Sequence, residues 1–196
     1  MKVKADLMRH GEPVGGRKYR GSVDDPLSEA GWAQMKSAVG EDAPWDLVVT
    51  SPLRRCRDFA VFLGERLGIP VFEETRFMEL GFGAWEGCTG AELRRRDPGC
   101  LARFYHDPIA NPPAGAEPLE AFAGRVIPAW EEWIARHEGR HLLIVTHAGV
   151  MRAIVAHVLG MPLERLFRLQ IANAALLPIR GGDERPPALV LESIHG

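Results

Sequence analysis

Two neighbouring side chains near the start of the chain, Arg9 and His10, have the chemistry needed to bind and attack a phosphate ester. They follow a first apolar run and precede Gly11, so they lie where a predicted strand ends. In sheets with crossover helices, ligands bind outside the carboxyl ends of the strands. A guanidinium group holds phosphoryl oxygens in a bidentate fork, and a neutral imidazole can attack phosphorus. A strand end with two ordinary polar residues explains this tripeptide equally well.

Later segments supply groups that this pair lacks. Charged or titratable side chains follow predicted strands in Ser51-Pro52-Leu53-Arg54-Arg55-Cys56-Arg57, Met78-Glu79-Leu80-Gly81-Phe82-Gly83 and Thr146-His147-Ala148-Gly149-Val150. If the sheet is parallel, the segments containing His10, Arg55 and His147 meet at one edge. Helix N-termini beside two of them would add N–H groups and partial positive charge for an anion.

The elements that must position these groups alternate between strands and helices. Predicted strands cover residues 3–8, 46–51, 69–72, 141–146, 174–179 and 189–194, with a turn at 181–183. Predicted helices cover residues 28–39, with Ser28 as N-cap, 53–67, 91–96, 119–137 and 149–159. Pro128 is expected to kink or split the fourth helix. The alternation predicts an α/β fold with a mostly parallel, mixed central sheet covered on both faces, a three-layer αβα sandwich.

Composition and length limit the class of protein. The 196 residues fit one domain, 1–196, in which the irregular Gly- and Pro-rich segment 84–118 is expected to cover the active site. A formal net charge of −2 argues against nucleic acid as a partner. Three cysteines without metal-like pairing favour a reducing compartment. With no apolar run of membrane-spanning length and no signal-peptide pattern, we expect a cytoplasmic protein without membrane contact.

Taken together and in this order, the motifs resemble the histidine phosphatase superfamily, the phosphoglycerate-mutase-like enzymes. The resemblance covers nearly the whole chain and includes Asp25-Pro26-Leu27-Ser28-Glu29-Ala30-Gly31 and Trp85-Glu86-Gly87. It implies that His10 is the nucleophile that becomes phosphohistidine, that Arg9, Arg55 and His147 contact the phosphoryl group, and that Glu79 protonates the leaving oxygen. Substrate-binding roles are expected for Arg9, Arg55, His147, Ser22, Arg20, Gly21 and Ala148.

The predicted reaction is hydrolysis of a small phosphorylated metabolite. Two arginines and a histidine can supply the charge stabilisation that phosphoryl transfer needs, and the sequence shows no carboxylate cluster suited to magnesium and no Cys/His site suited to zinc. We therefore expect no metal and no cofactor. Mutases of the family are usually longer, which favours a phosphatase. The chain looks most like the α-ribazole-5′-phosphate phosphatases of cobalamin synthesis, with a broad-specificity small-molecule phosphatase left open.

Two other functions remain as alternatives. One is a phosphoglycerate mutase, and the other is a catalytically silent module that only recognises phosphate. The oligomeric state is left open, with a homodimer among the options.

Several conspicuous residues have ordinary structural explanations. Arg94-Arg95-Arg96 is expected to form a solvated helix face, and Trp130 and Trp133 to pack in the core or an interface. Glu86 is expected to have a structural or rim role, and Glu117 lies where the family often has Gly-Glu-Ser. The remaining histidines are expected at the surface or in packing: His106, His137, His141, His157 and His195.

Overall fold

A six-stranded mixed sheet forms the centre of the protein in the computed structural model, which describes residues 2–41 and 43–191. The strands are β1 (Val3–Arg9), β2 (Leu47–Thr50), β3 (Val71–Glu73), β4 (His141–Thr146), β5 (Leu176–Gly182) and β6 (Arg185–Leu189). The helices are α1 (Glu29–Val39), α2 (Arg54–Leu67), α3 (Gly90–Arg96), α4 (Cys100–His106), α5 (Leu119–Arg136) and α6 (Ala148–Leu159). Short 3-10 turns cover Thr75–Phe77, Gly83–Trp85 and Leu163–Arg168.

The strand order is β3-β2-β4-β1-β5-β6. The first four strands of this order run parallel, and β5 and β6 are antiparallel to their neighbours. β1 is central, with Leu7 opposite Ile144 of β4 on one side and Leu177 of β5 on the other. Because β1, β2 and β4 are mutually parallel, their carboxyl ends meet at one edge of the sheet. The predicted mixed sheet is confirmed.

Strand β4 shows why the fold has three layers. All its residues are buried, and they alternate between two cores. Leu142 and Ile144 join the core formed with α5 and α6, whereas Leu143 and Val145 join the core formed with α1 and α2. A strand buried on both faces reads as one continuous apolar run. The αβα sandwich expected from the sequence is therefore confirmed.

Local chemistry explains where two of the helices begin and end. Ser28 caps α1 by accepting a hydrogen bond from Gly31 N at 3.0 Å, as its sequence position predicts. Gly68 ends α2 in the left-handed conformation with φ +67°, which glycine adopts without a Cβ penalty.

The structure corrects the predicted helices in two places. Residues 84–118 contain α3 and also α4, which the sequence did not predict, since seven residues are too few to show a clear helical period. Pro128 does not split α5, which continues from Leu119 to Arg136. Buried Val126, Ala129 and Trp130 pack on both sides of the proline, and this packing outweighs the one hydrogen bond that the proline removes.

The last strand was also predicted in the wrong place. The second closing strand is Arg185–Leu189 rather than 189–194, and β5 extends to Gly182, through part of the predicted turn. Pro186 and Pro187 masked this strand in the sequence, but β6 is at the sheet edge, where a missing N–H is tolerated. Residues 192–194 of the prediction, and His195, lie outside the described residues. No helix in the described ranges is long and apolar enough to cross a membrane.

Candidate active site

The nucleophile candidate His10 follows the central strand, and its backbone is held from both sides. His10 N donates to Thr146 O at 2.9 Å, and Ala174 N donates to His10 O at 3.2 Å. Ala174 has φ +56°, a conformation that costs a non-glycine residue about 1–2 kcal/mol. The sheet therefore fixes the position of His10, with a strained residue contributing one of the two bonds.

The orientation and charge of the His10 imidazole are also fixed. Its Nδ1 lies 2.7 Å from Gly11 O, and because a carbonyl only accepts, Nδ1 carries the proton. The lone pair is then on Nε2. Burial, with further contributions from the cations Arg55 and Arg9, holds the pKa of His10 well below its usual value of 6.5. The ring is neutral near pH 7 and available for attack.

Arg55 lies in the first turn of α2 and is completely buried. Its Nη1 donates to Val23 O at 2.6 Å and its Nη2 to Gly21 O at 3.1 Å. Its Nε donates to His147 Nδ1 at 3.3 Å. A guanidinium has five N–H groups, so Arg55 retains donors for an anion while it holds the loop of residues 21–23 in place.

His147 is the N-cap residue of α6, and its ring packs edge-on against His10 with centroids 5.2 Å apart. Because Nδ1 accepts from Arg55, the proton is on Nε2, which donates to Ser51 Oγ at 2.7 Å. Burial lowers the pKa of His147 well below 6.5. Both ring nitrogens thus have protein partners. The predicted contact with a phosphoryl oxygen stays a prediction, and it requires the ring to exchange one of these partners.

Glu79 reaches the same edge from the loop after the first 3-10 turn. Its Oε2 accepts from Gly149 N at 3.2 Å, and its Oε1 accepts from Leu80 N at 2.9 Å. A methyl group on Gly149 would overlap Oε1 of Glu79. This explains why a glycine is needed two residues after His147.

A clamp between α5 and this loop positions Glu79. Arg125 forms a bidentate ion pair with Glu117, with Nε to Oε1 at 2.7 Å and Nη2 to Oε2 at 2.8 Å. Arg125 also donates to the carbonyls of Arg76, Met78 and Glu79 at 2.7, 2.8 and 3.1 Å. Sequence reasoning missed Arg125, because its acceptors are mostly backbone carbonyls.

Arg9 faces the site from the end of β1. Its Nη1 donates to Ile171 O at 2.6 Å. Its Nε is buried and has no acceptor among the described residues. Burial lowers the pKa of Arg9 to about 10, so it stays charged near neutral pH. A buried donor without an acceptor is what a phosphate-holding arginine would show.

The other predicted substrate-binding residues have mainly structural contacts. Arg20 donates to Asp25 Oδ2, Gly16 O and Val14 O at 2.6–2.7 Å, and so anchors its own loop. Ser22 Oγ donates to Glu86 Oε2 at 2.8 Å. Gly21 presents its carbonyl to Arg55, and Ala148 begins α6 directly after His147. Glu86, which also accepts from Phe82 N at 3.2 Å, has the structural role expected for it.

The comparisons with known proteins agree with this geometry. The sequence matches the histidine phosphatase superfamily (branch 1) over residues 6–193, and the chain belongs to this family.

Relatives with different names share this similarity. Bifunctional protein Rv2228c of Mycobacterium tuberculosis is 34% identical over 175 residues, which are 87% of this chain but only 48% of that protein. The chain thus spans about half the length of that relative. Phosphoserine phosphatase 1 of Hydrogenobacter thermophilus is 31% identical, with 96% of this chain and 92% of that protein covered.

Solved structures of phosphatases are similar to this chain over almost its whole length. A mycobacterial glucosyl-3-phosphoglycerate phosphatase in complex with VO3 has a TM-score of 0.84 at 30% identity, covering 96% of this chain and 98% of the other. The α-ribazole phosphatase from Shigella flexneri has a TM-score of 0.81 at 26% identity, covering 96% and 95%.

Proposed function

We propose that this protein hydrolyses small phosphate monoesters through a phosphohistidine intermediate at His10, without a metal ion. The observation that carries the proposal is the state of the His10 ring. It is neutral, its tautomer is set by the 2.7 Å bond from Nδ1 to Gly11 O, and Arg9 and Arg55 lie beside it. No group of three or more His, Cys, Asp or Glu side chains in the described part of the chain is arranged to hold a metal ion.

In the first step, His10 Nε2 attacks phosphorus in line with the ester bond. The N–P bond forms, the P–O bond breaks, and the electron pair stays on the leaving oxygen. Glu79, which must be protonated at this stage, gives its proton to that oxygen. Arg9 and Arg55 stabilise the charge on the equatorial oxygens, which is where phosphoryl transfer needs positive charge most.

In the second step, the Glu79 carboxylate takes a proton from water as the water oxygen attacks phosphorus. The new P–O bond forms, the N–P bond breaks, and inorganic phosphate leaves with His10 neutral again. Glu79 ends protonated, ready for the next substrate. The bonds from Gly149 N and Leu80 N keep the carboxyl group in place for both steps.

The segment of residues 84–118 is proposed to cover the substrate. Tyr19, in the loop after His10, contacts the hydroxyl of Tyr105 at the end of α4 with an O–O distance of 2.7 Å. Phe104 packs on Phe167 with centroids 4.7 Å apart. These contacts support a wall above the leaving group that belongs partly to α4.

The substrate is proposed to be a small phosphorylated metabolite. α-Ribazole 5′-phosphate stays a candidate, alongside phosphoserine and glucosyl-3-phosphoglycerate, because relatives named for each are similar to this chain. A set of relatives with such different leaving groups also supports broad specificity. The alternatives of a mutase and a silent phosphate-recognising module are separated from hydrolysis by the experiment below.

The test is turnover of p-nitrophenyl phosphate in EDTA, followed by acid-sensitive trapping of labelled phosphate. We expect turnover and labelling in the wild type and neither in His10→Ala. His157→Ala is the matched control. His157 is partly exposed, lies at the end of α6 away from His147, and pairs with Glu131 of α5. Labelling of His10→Ala at the wild-type level would refute the proposal. Folded protein without turnover would indicate the silent module, and phosphoglycerate interconversion without phosphate release would indicate the mutase.

A further inference from the structure

A third arginine, Arg152, lies beside the catalytic groups without a role in the steps above. It belongs to α6, three residues beyond Gly149, whose N–H holds Glu79. Its Nε donates to Leu169 O at 2.8 Å, and Arg9 Nη1 donates to Ile171 O at 2.6 Å. The two arginines are thus anchored two residues apart on one segment, and Arg152 lies close enough to Arg9 to act on its charge.

Arg152 has no anionic partner of its own. Within the described residues, no carboxylate oxygen lies within 4.0 Å of a guanidinium nitrogen of Arg152 or Arg9. The terminal amino groups of Arg152 donate no hydrogen bond to the described residues. One side of the guanidinium is covered by Phe167, 5.4 Å from the ring centroid. Burial lowers the pKa of Arg152, and the charge that chiefly opposes this is Glu79. Arg152 is a partly buried cation without an ionic partner, and it is therefore available to a ligand that supplies an anion.

Counting charges during the first step defines that anion. His10 is neutral, and Glu79 must be protonated to act as the acid, so it cannot then neutralise Arg152. Arg9 and Arg55 match the two negative charges of a phosphate dianion. Arg17, which also acts on Arg9, is exposed to solvent, whereas among the arginines that are at least partly buried here, Arg152 is left without a match. A substrate that carries one further negative charge in its leaving group would neutralise it.

We propose that Arg152 binds a carboxylate on the leaving group, so that the preferred substrates are phosphorylated hydroxy acids or amino acids. A carboxylate suits the single unmatched charge better than a second phosphate does, because a second phosphate would bring about two negative charges. The planar guanidinium also fits a carboxylate in a bidentate fork. This inference rests on the proposed function, since it assumes hydrolysis at His10.

The test compares esters that differ mainly in the carboxylate. O-phosphoserine is paired with O-phosphoethanolamine, and 3-phosphoglycerate with glycerol 3-phosphate, in steady-state assays of phosphate release. We expect the wild type to prefer the acid of each pair, and Arg152→Gln to lose about 10- to 100-fold of that preference in kcat/KM. Arg152→Lys should retain part of it. Arg140→Gln is the matched control, since Arg140 is exposed and precedes β4, at the opposite end of that strand from His147.

The preference is a ratio measured within one protein preparation, so partial misfolding of a variant cancels. Equal losses for both members of each pair in Arg152→Gln, or no wild-type preference for the acids, would overturn the carboxylate role. In either case continued turnover of p-nitrophenyl phosphate leaves the proposed function intact. If wild-type protein fails to release phosphate even from p-nitrophenyl phosphate, the proposed function fails and the inference fails with it.

Discussion

Gly149 and Glu79 form a steric unit in which one residue has room only because the other has no side chain. Gly149 N donates to Glu79 Oε2 at 3.2 Å, and a Cβ at position 149 would occupy the space of Oε1. The Thr-His-Ala-Gly-Val segment therefore provides His147 and also, through Gly149, the space and the N–H donor that hold the proposed acid Glu79.

Gly149→Ala is expected to displace the Glu79 carboxyl group and to impair proton donation. Alkyl phosphates, whose leaving oxygen needs the proton, should lose about 100-fold in kcat/KM, and p-nitrophenyl phosphate much less. The comparison of the two ester types measures this. Gly124→Ala is the control, since Gly124 is at an exposed position of α5 where a Cβ meets open space. Alanine there should favour the helix. Equal losses for both esters would argue against the acid role of Glu79.

Arg125→Lys is expected to loosen the loop that carries Glu79. Lysine keeps the charge but cannot serve the carboxylate of Glu117 and three carbonyls together. We expect kcat for alkyl phosphates to fall by about 10- to 100-fold, because small displacements of a positioned group have effects of this size. KM should change little, since the donors of Arg125 are already engaged by Glu117 and these three carbonyls.

Arg136→Lys is the matched control for this prediction. Arg136 is an exposed arginine of the same helix that lies over the face of Trp133. A purely structural role of Arg125 would lower the melting temperature and slow all esters alike. That outcome would contradict positioning of Glu79.

The free energy of unfolding is expected to fall as the pH drops below about 6.5. Burial depresses the pKa values of His10 and His147, so the folded protein keeps both rings neutral. The unfolded chain takes up protons at these positions below 6.5, so acid favours unfolding. Urea titrations at pH 7.5 and 5.5 measure this, and His10→Gln should reduce the difference. An unchanged pH dependence in that variant would contradict the neutral buried state of His10.

Ser22→Ala is expected to cost at most about 1 kcal/mol of stability and to leave KM unchanged. The reason is that Ser22 Oγ donates to Glu86 Oε2 at 2.8 Å. Ser37→Ala, at an exposed position of α1, is the control. A clear rise in KM for p-nitrophenyl phosphate would instead show that the Ser22 hydroxyl reaches the phosphate, which is the role that the family resemblance implies for it.

Much of the site could be predicted because it depends on side-chain types at strand ends. The alternation of strands and helices predicted the parallel strands, and the positions of Arg9, Arg55 and His147 after apolar runs then predicted the edge where these residues lie. The roles of Arg125 and Arg152 could not be predicted in this way. Their acceptors are backbone carbonyls of loops, and a sequence shows neither the position nor the direction of a carbonyl group.

The fold likewise contains elements that local sequence pattern predicts and elements that it does not. Elements with a clear pattern, such as the amphipathic helix α2 and the continuous apolar run of β4, were predicted well. β6 was placed wrongly, because Pro186 and Pro187 disfavour a strand everywhere except at an edge. Whether a strand lies at an edge depends on the whole sheet, so local pattern alone could not resolve it.

The bond from His10 Nδ1 to Gly11 O has a consequence for mutational robustness. In many hydrolases a separate acidic side chain orients the histidine, and replacing that side chain disables the enzyme. Here the orienting acceptor is a main-chain atom of the next residue. No substitution deletes this acceptor atom, so the ring is misoriented only when the path of the main chain changes. Gly11 is a position where a single substitution would force such a change, because a Cβ there would overlap Gly31 O. The sensitivity that other hydrolases place on an acidic side chain is thus placed here on the absence of a side chain.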